Sequence, residues 1–170
     1  MNREHKILRD AENGYVFLNG DRVFSFRIKT FQAYMDRLNI TGDQVSRVLM
    51  GQMGKAAGHA AMDFARDRVH SIEDLWKVTD ETLVEQGCGR CLGIEQQGEG
   101  NTSKVIVRLK GTPLTYDRKA HEPTCDAVRG LMQGWIEGYL GKSAASSIET
   151  QCESVGAPEC VFEVTFKNAK

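Results

Sequence analysis

The segment Glu149-Thr150-Gln151-Cys152-Glu153-Ser154-Val155-Gly156-Ala157-Pro158-Glu159-Cys160-Val161-Phe162 constrains this chain most. Ser154 to Glu159 contains Gly156 and Pro158, a turn composition. The flanks, Ala144 to Glu153 and Cys160 to Phe166, carry Ile148, Val161, Phe162, Val164 and Phe166, which favour strands. The segment therefore predicts a C-terminal β-hairpin with a cysteine on each arm, which brings Cys152 and Cys160 together. Cys125 stands upstream, at the start of a predicted helix. Three thiolates and the Glu149 carboxylate are an accepted tetrahedral zinc set, and a site with four protein ligands is closed and structural. Spacing alone leaves two alternatives open: a Cys152–Cys160 disulfide, or unconnected small apolar side chains. Glu149 and Cys152, three apart, face opposite sides of a regular strand. Both reach one ion only across a bulge or a bend.

The 170 residues fit one domain and suffice for a real core. A formal net charge of −1 gives no reason to expect nucleic acid as a partner. The start, Met1-Asn2-Arg3-Glu4-His5-Lys6, has no apolar core and is not a signal peptide. No apolar run approaches a membrane span. Five cysteines, an odd number without a secretory signal, read as reduced cytoplasmic thiols or metal ligands, which weighs against a disulfide.

Along the chain, Asn19-Gly20 between Gly14–Leu18 and Arg22–Ile28 predicts an N-terminal β-hairpin. Residues 1–28 are thus an extension and 29–170 the core. Thr30 to Leu38 repeats at helical spacing, and a long helix is predicted from Asp43 to Arg68. Its apolar face is Val45, Val48, Leu49, Met53 and Phe64, with Gln52, Ala56 and Ala60 among them. Gly51, Gly54 and Gly58 thin its middle, where another backbone approaches, within the chain or across a homodimer. His59 reads as a core or surface histidine. Ser71 and Asp74 resemble a capping box, with a restart of the helix expected at Thr79-Asp80-Glu81. Cys88 and Cys91 form a lone Cys-x-x-Cys at a helix end before a strand, the reverse of the redox arrangement, and read as packed small residues. Lys104 to Leu109 alternates as a half-buried strand, Gly111 to Glu122 is an irregular loop, and Thr124 to Leu140 is the last helix, stopped by Gly141. Gly130, Gly134 and Gly138 thin that helix too. Phe64, Trp76, Trp135 and Tyr139, set beside the glycine lines, are the candidate lining of an apolar small-molecule pocket that the 111–122 loop would cover.

Pro123-Thr124-Cys125, the glycine-spaced helix Gly130 to Gly141, Glu149-x-x-Cys152 and Gly156-x3-Cys160-x-Phe162 resemble, in order and spacing, the 4-vinyl reductase domain family. Weaker similarity runs through Gly54-Lys55-x2-Gly58 and Gly87-x-Gly89-Arg90. The resemblance implies an α/β (α+β) fold related to TRAPP trafficking-complex subunits, with an antiparallel sheet packed against helices. It implies zinc on Cys125, Glu149, Cys152 and Cys160, and apolar neighbours for Cys88 and Cys91. The expected function is binding or sensing of a small hydrophobic or aromatic ligand by a homodimer, coupled to a separate regulatory or effector protein. The second reading is an enzyme or carrier in tetrapyrrole vinyl-group reduction, although no dinucleotide fingerprint is present. The third is a ligand-free scaffold.

Overall fold

The structure, a computed structural model, describes residues 7–10, 15–18, 21–23, 29–30, 32–33, 37, 44–98 and 102–167. Among these, β1 (Ile7–Asp10), β2 (Tyr15–Leu18) and β3 (Asp21–Val23) form an antiparallel three-stranded sheet. Leu18 pairs with Asp21 across residues 19–20, the two-residue connection that Asn-Gly predicts. Strand β1 was not foreseen, and residues 24–28 of the second predicted arm lie outside the described residues. Lys29, Thr30, Gln32, Ala33 and Arg37 are helical.

The second sheet is antiparallel in the order β4-β5-β7-β6, built from Arg90–Gln97, Thr102–Lys110, Cys160–Lys167 and Ser146–Gln151 respectively. Its inner face follows the two-residue period. Val105, Val107 and Leu109 of β5 and Phe162, Val164 and Phe166 of β7 are fully buried. Three helices accompany it among the described residues: α1 (Gln44–Ala65), α2 (Ile72–Glu85) and α3 (Asp126–Leu140). This α+β arrangement is the one expected. Ser71 caps α2 by accepting the Asp74 N–H at 3.1 Å. Gly141 ends α3 in the left-handed conformation, φ 63°. No restart interrupts α2, because Thr79 turns its hydroxyl back onto the Leu75 carbonyl inside a continuous helix.

Helices α1 and α3 cross at closest approach, and the glycines decide which faces meet. A Cβ on Gly54 would overlap the Ala127 carbonyl oxygen, and one on Gly130 would overlap that of Gly51. Both glycine lines are therefore consumed within one chain, and a dimer cannot use them. Bulky residues are excluded from this crossing, so the predicted apolar stripe of α1 turns outward. Val45, Val48, Leu49 and Met53 are more than half exposed and Phe64 is 92% exposed. The reading that Phe64 buries against the sheet is thus corrected. Beside the crossing, Glu137 is buried, with Oε2 2.9 Å from Lys55 Nζ and 3.0 Å from His59 Nε2. Its Oε1 accepts from Gln133 Nε2 at 2.8 Å and the Ala144 N–H at 2.9 Å. The buried charge is thereby paired and hydrogen-bonded.

Candidate metal centre

The strand pair β6–β7 meets the condition that Glu149 and Cys152 share a side. Glu149 pairs with Phe162, but Gln151 pairs with Val161, so Thr150 is one residue too many. Cross-strand partners share a face, which puts Glu149 on the buried side with Phe162. The bulge shifts the register by one, and continuing it sets Cys152 against Cys160. A short 3₁₀ turn, Glu153–Val155, follows, and Gly156 closes it at φ 98°. Cys125 arrives from the opposite direction as the N-cap residue of α3.

Cys125, Cys152 and Cys160 are fully buried. Cys125 Sγ lies 3.9 Å from Cys152 Sγ and 3.9 Å from Cys160 Sγ. With a Glu149 oxygen, all four ligand atoms fall within 4.8 Å of one another, and all five cysteines of the chain are free thiols. A tetrahedron with bonds of about 2.3 Å has edges of about 3.8 Å, so these separations suit one zinc-sized ion. Glu149 Oε2 accepts the Cys125 backbone N–H at 3.1 Å. Its Oε1 is buried without a partner. A carboxylate held by one oxygen, with the other orphaned beside three thiols, is a donor set that fits a metal cation.

The electrostatics agree. Burial, then the neighbouring Cys152, raises the Glu149 carboxyl above its ordinary range. Hydrogen bonds from the Cys125 and Cys160 thiols lower Cys152 and hold it as a thiolate. Cys125 is raised by its bonds to Cys152 and Cys160 and by burial. At Cys160 the Cys125 bond pulls down while Cys152 and burial push up, leaving it at about 12. Four acidic groups thus share negative charge that they cannot all carry without a cation among them. The Glu153 backbone N–H, 3.4 Å from Cys160 Sγ, and Ser154 Oγ, 3.1 Å from Cys152 Sγ, are donors to sulfur around the cluster.

Residues 105–166 match the family model of the 4-vinyl reductase domain. All four clustered residues lie inside that match, and the resemblance read from the sequence is thereby shown. The phenol-responsive sensory domain of the transcription activator PoxR, solved with phenol, superposes with a TM-score of 0.71 at 18% identity, covering 94% of this chain and 84% of that one. A vinyl-4-reductase family protein from Methanocaldococcus jannaschii gives 0.56 at 19% identity, covering 86% and 85%. A trafficking protein particle complex subunit 3 from Naegleria fowleri, covalently bound to palmitic acid, gives 0.50 at 12% identity, covering 84% and 95%. At these identities the superpositions establish the fold. No curated protein sequence matches the chain.

The remaining predicted residues separate. Cys88 and Cys91 precede and open β4, outside the stretch that matches the family model. Among the described residues they join no group able to hold a metal. Of the four pocket candidates, Trp135 is buried and its indole Nε1 has no hydrogen-bond partner. Tyr139 packs half-buried against the core. Trp76 is 39% exposed and donates to the Cys91 carbonyl at 2.8 Å. Phe64 stands apart in solvent. Sequence reasoning missed Thr112, Thr115 and Glu153, which surround the cluster, and it missed Glu137. For Glu137 there was a usable signal, an acid inside the apolar run Trp135-Ile136-Glu137. For the threonines there was none.

Proposed function

We propose that this protein is a sensory domain for a small aromatic or hydrophobic molecule, with one structural zinc on Cys125, Glu149, Cys152 and Cys160. Residues 29–170 are its core and 1–28 an extension of it, in a reducing, cytoplasmic setting. Zinc would hold the hairpin to the N-terminus of α3, a closed site that leaves no position for substrate. The observation that carries the ligand reading is Trp135: a large aromatic residue, 3% exposed, with an unpartnered N–H in an otherwise apolar core. Buried donors are nearly always satisfied, so a ligand oxygen is a natural acceptor there. Tyr139 and Trp76 would complete the lining, and Phe64 leaves that set. The likeness to a phenol-responsive sensory domain supports the same reading. No helix among the described residues is long and apolar enough to cross a membrane.

Titration of the zinc-loaded chain with phenol and toluene, followed by thermal shift, tests the ligand. Binding of either supports a sensory domain, and preference for phenol that disappears in Trp135→Phe assigns the donor. No shift with any aromatic compound would refute the reading. The homodimer would form through the outward stripe of α1. Sedimentation of the wild type and of Leu49→Glu with Phe64→Glu tests it, with a dimer expected to become a monomer.

A further inference from the structure

The loop after β5, which sequence reading takes as a cover over the ligand, is instead anchored beside the metal cluster. Thr112 is fully buried, Leu114 is 2% exposed and Thr115 is 6% exposed. Glu153 holds them. Its Oε2 accepts the Gly111 N–H at 2.9 Å and the Thr115 hydroxyl at 2.9 Å. Glu153 lies between the two hairpin cysteines, and its own N–H points at Cys160 Sγ, 3.4 Å away. Thr112 Oγ1 approaches Cys125 Sγ at 3.7 Å. Further along, the Ala120 N–H donates to the Ser154 carbonyl at 2.8 Å.

The other side of the loop holds the N-terminal helical residues. Gln32, 8% exposed, donates through Nε2 to the Pro113 carbonyl at 3.0 Å and the Tyr116 carbonyl at 2.7 Å. Lys29 pairs with Asp117 at 2.6 Å. One side chain therefore touches two loop carbonyls whose positions are fixed by Glu153, whose backbone is fixed by a cysteine of the cluster. The path from metal to Gln32 is unbroken at the level of hydrogen bonds.

We propose that Glu153 is a positioning residue that couples occupancy of the metal site to residues 111–117, and through them to the seating of Gln32. This rests on the zinc reading above. With the metal bound, the 3₁₀ turn Glu153–Val155 is held and the loop is pinned. Without it, the turn, the loop and the Gln32 contacts loosen together. Charged hydrogen bonds of this kind are the stronger class, so their release is measurable.

Amide hydrogen exchange of the full chain, zinc-loaded and after chelation, tests this, with zinc counted by elemental analysis. In the wild type, chelation should speed exchange at Thr115, Tyr116 and Gln32 at least tenfold. Glu153→Gln should speed the same amides while zinc stays at one equivalent and Val107 in β5 keeps its protection. In that variant chelation should change them no further, a non-additivity that a merely structural role would not produce. Should chelation unfold the whole chain, the zinc-loaded Glu153→Gln comparison still decides. Loop exchange within twofold of wild type in that variant overturns the coupling while leaving the zinc reading intact. A purified chain that carries no zinc and takes up none overturns the zinc reading, and the coupling with it.

Discussion

Cys91 and Cys160 make an instructive pair. Both are buried, at 2% and 0% exposure, and both thiols stand at about 12. Each sits on a strand of the same sheet near a second cysteine in sequence. Yet Cys160 faces Cys125, Cys152 and Glu149, while Cys91 Sγ meets the Gly93 carbonyl at 3.8 Å. Its backbone is tied up by Asp80 and Trp76. The difference lies in what converges. Three elements deliver ligands to one point at Cys160: the α3 N-terminus, the bulged β6 and the start of β7. A single stretch supplies both Cys88 and Cys91. Thiol acidity does not separate a metal site from an inert pair here; convergent geometry does.

The largest effect that would sharpen this contrast comes from Cys152→Ser. It removes a ligand from the site whose filling is itself folding free energy. Loss of about 4 kcal/mol would lower the melting temperature by about 10 °C in a chain of this size. Zinc content should fall below a tenth of an equivalent. A wild-type melting curve, unaffected by chelator, would erase the distinction between the two cysteine groups.

How much of that distinction was legible in the sequence can be stated residue by residue. The hairpin, its turn and its cysteines are local, and local signals survive in one dimension. The need for a bulge was legible as a condition, because three-residue spacing on a strand is a parity problem. Which residue bulges was not, since Thr150 carries no mark of it. The glycine lines of α1 and α3 announced a close crossing. They did not announce that α1 would turn its bulky stripe outward, because periodicity finds a stripe without saying what faces it. Thr112 and Thr115 reach the cluster only through tertiary placement, and nothing near them in sequence points to a metal.

The next effect is on protons. In the metal-free protein Cys125 and Cys160 are raised, and Glu149 and Cys152 hold one proton between them. Zinc must displace one proton from Cys125, one from Cys160 and one from the Glu149–Cys152 pair, about three at neutral pH. Affinity should therefore rise with pH, by up to about a thousandfold per unit while all three protons are in place. Calorimetric titration in two buffers of different ionisation enthalpy counts them. Release of one proton or fewer would mean that the thiols do not converge on the ion.

A smaller effect is expected from Glu149→Gln, which keeps the shape and removes the charge. Competition with a chromogenic chelator should show zinc affinity lowered about 10- to 100-fold, the range typical when a group supporting a metal site is altered. The Cys125 N–H keeps an acceptor, so α3 should remain folded. An unchanged affinity would reduce the site to three thiols and make Glu149 a helix cap.

The smallest effect belongs to the other member of the comparison. Cys88→Ala with Cys91→Ala removes two sulfurs from the edge of the core. Cys91 is nearly closed to solvent, so its loss costs packing, about 1 kcal/mol, and Cys88, half-buried, costs less. Neither change should alter zinc content. Burial raises both thiols, Cys91 to about 12, so few thiolates exist at neutral pH and alkylation should be slow in the native chain. The backbone arrangement argues against redox chemistry as well: the pair follows the end of α2, where no helix N-terminus stabilises a thiolate. Mass spectrometry after brief iodoacetamide treatment of the zinc-loaded protein should find both cysteines unmodified. Rapid labelling of Cys91, or a reversible Cys88–Cys91 disulfide near cytosolic potentials, would place this pair among the reactive thiols and end the contrast with Cys160.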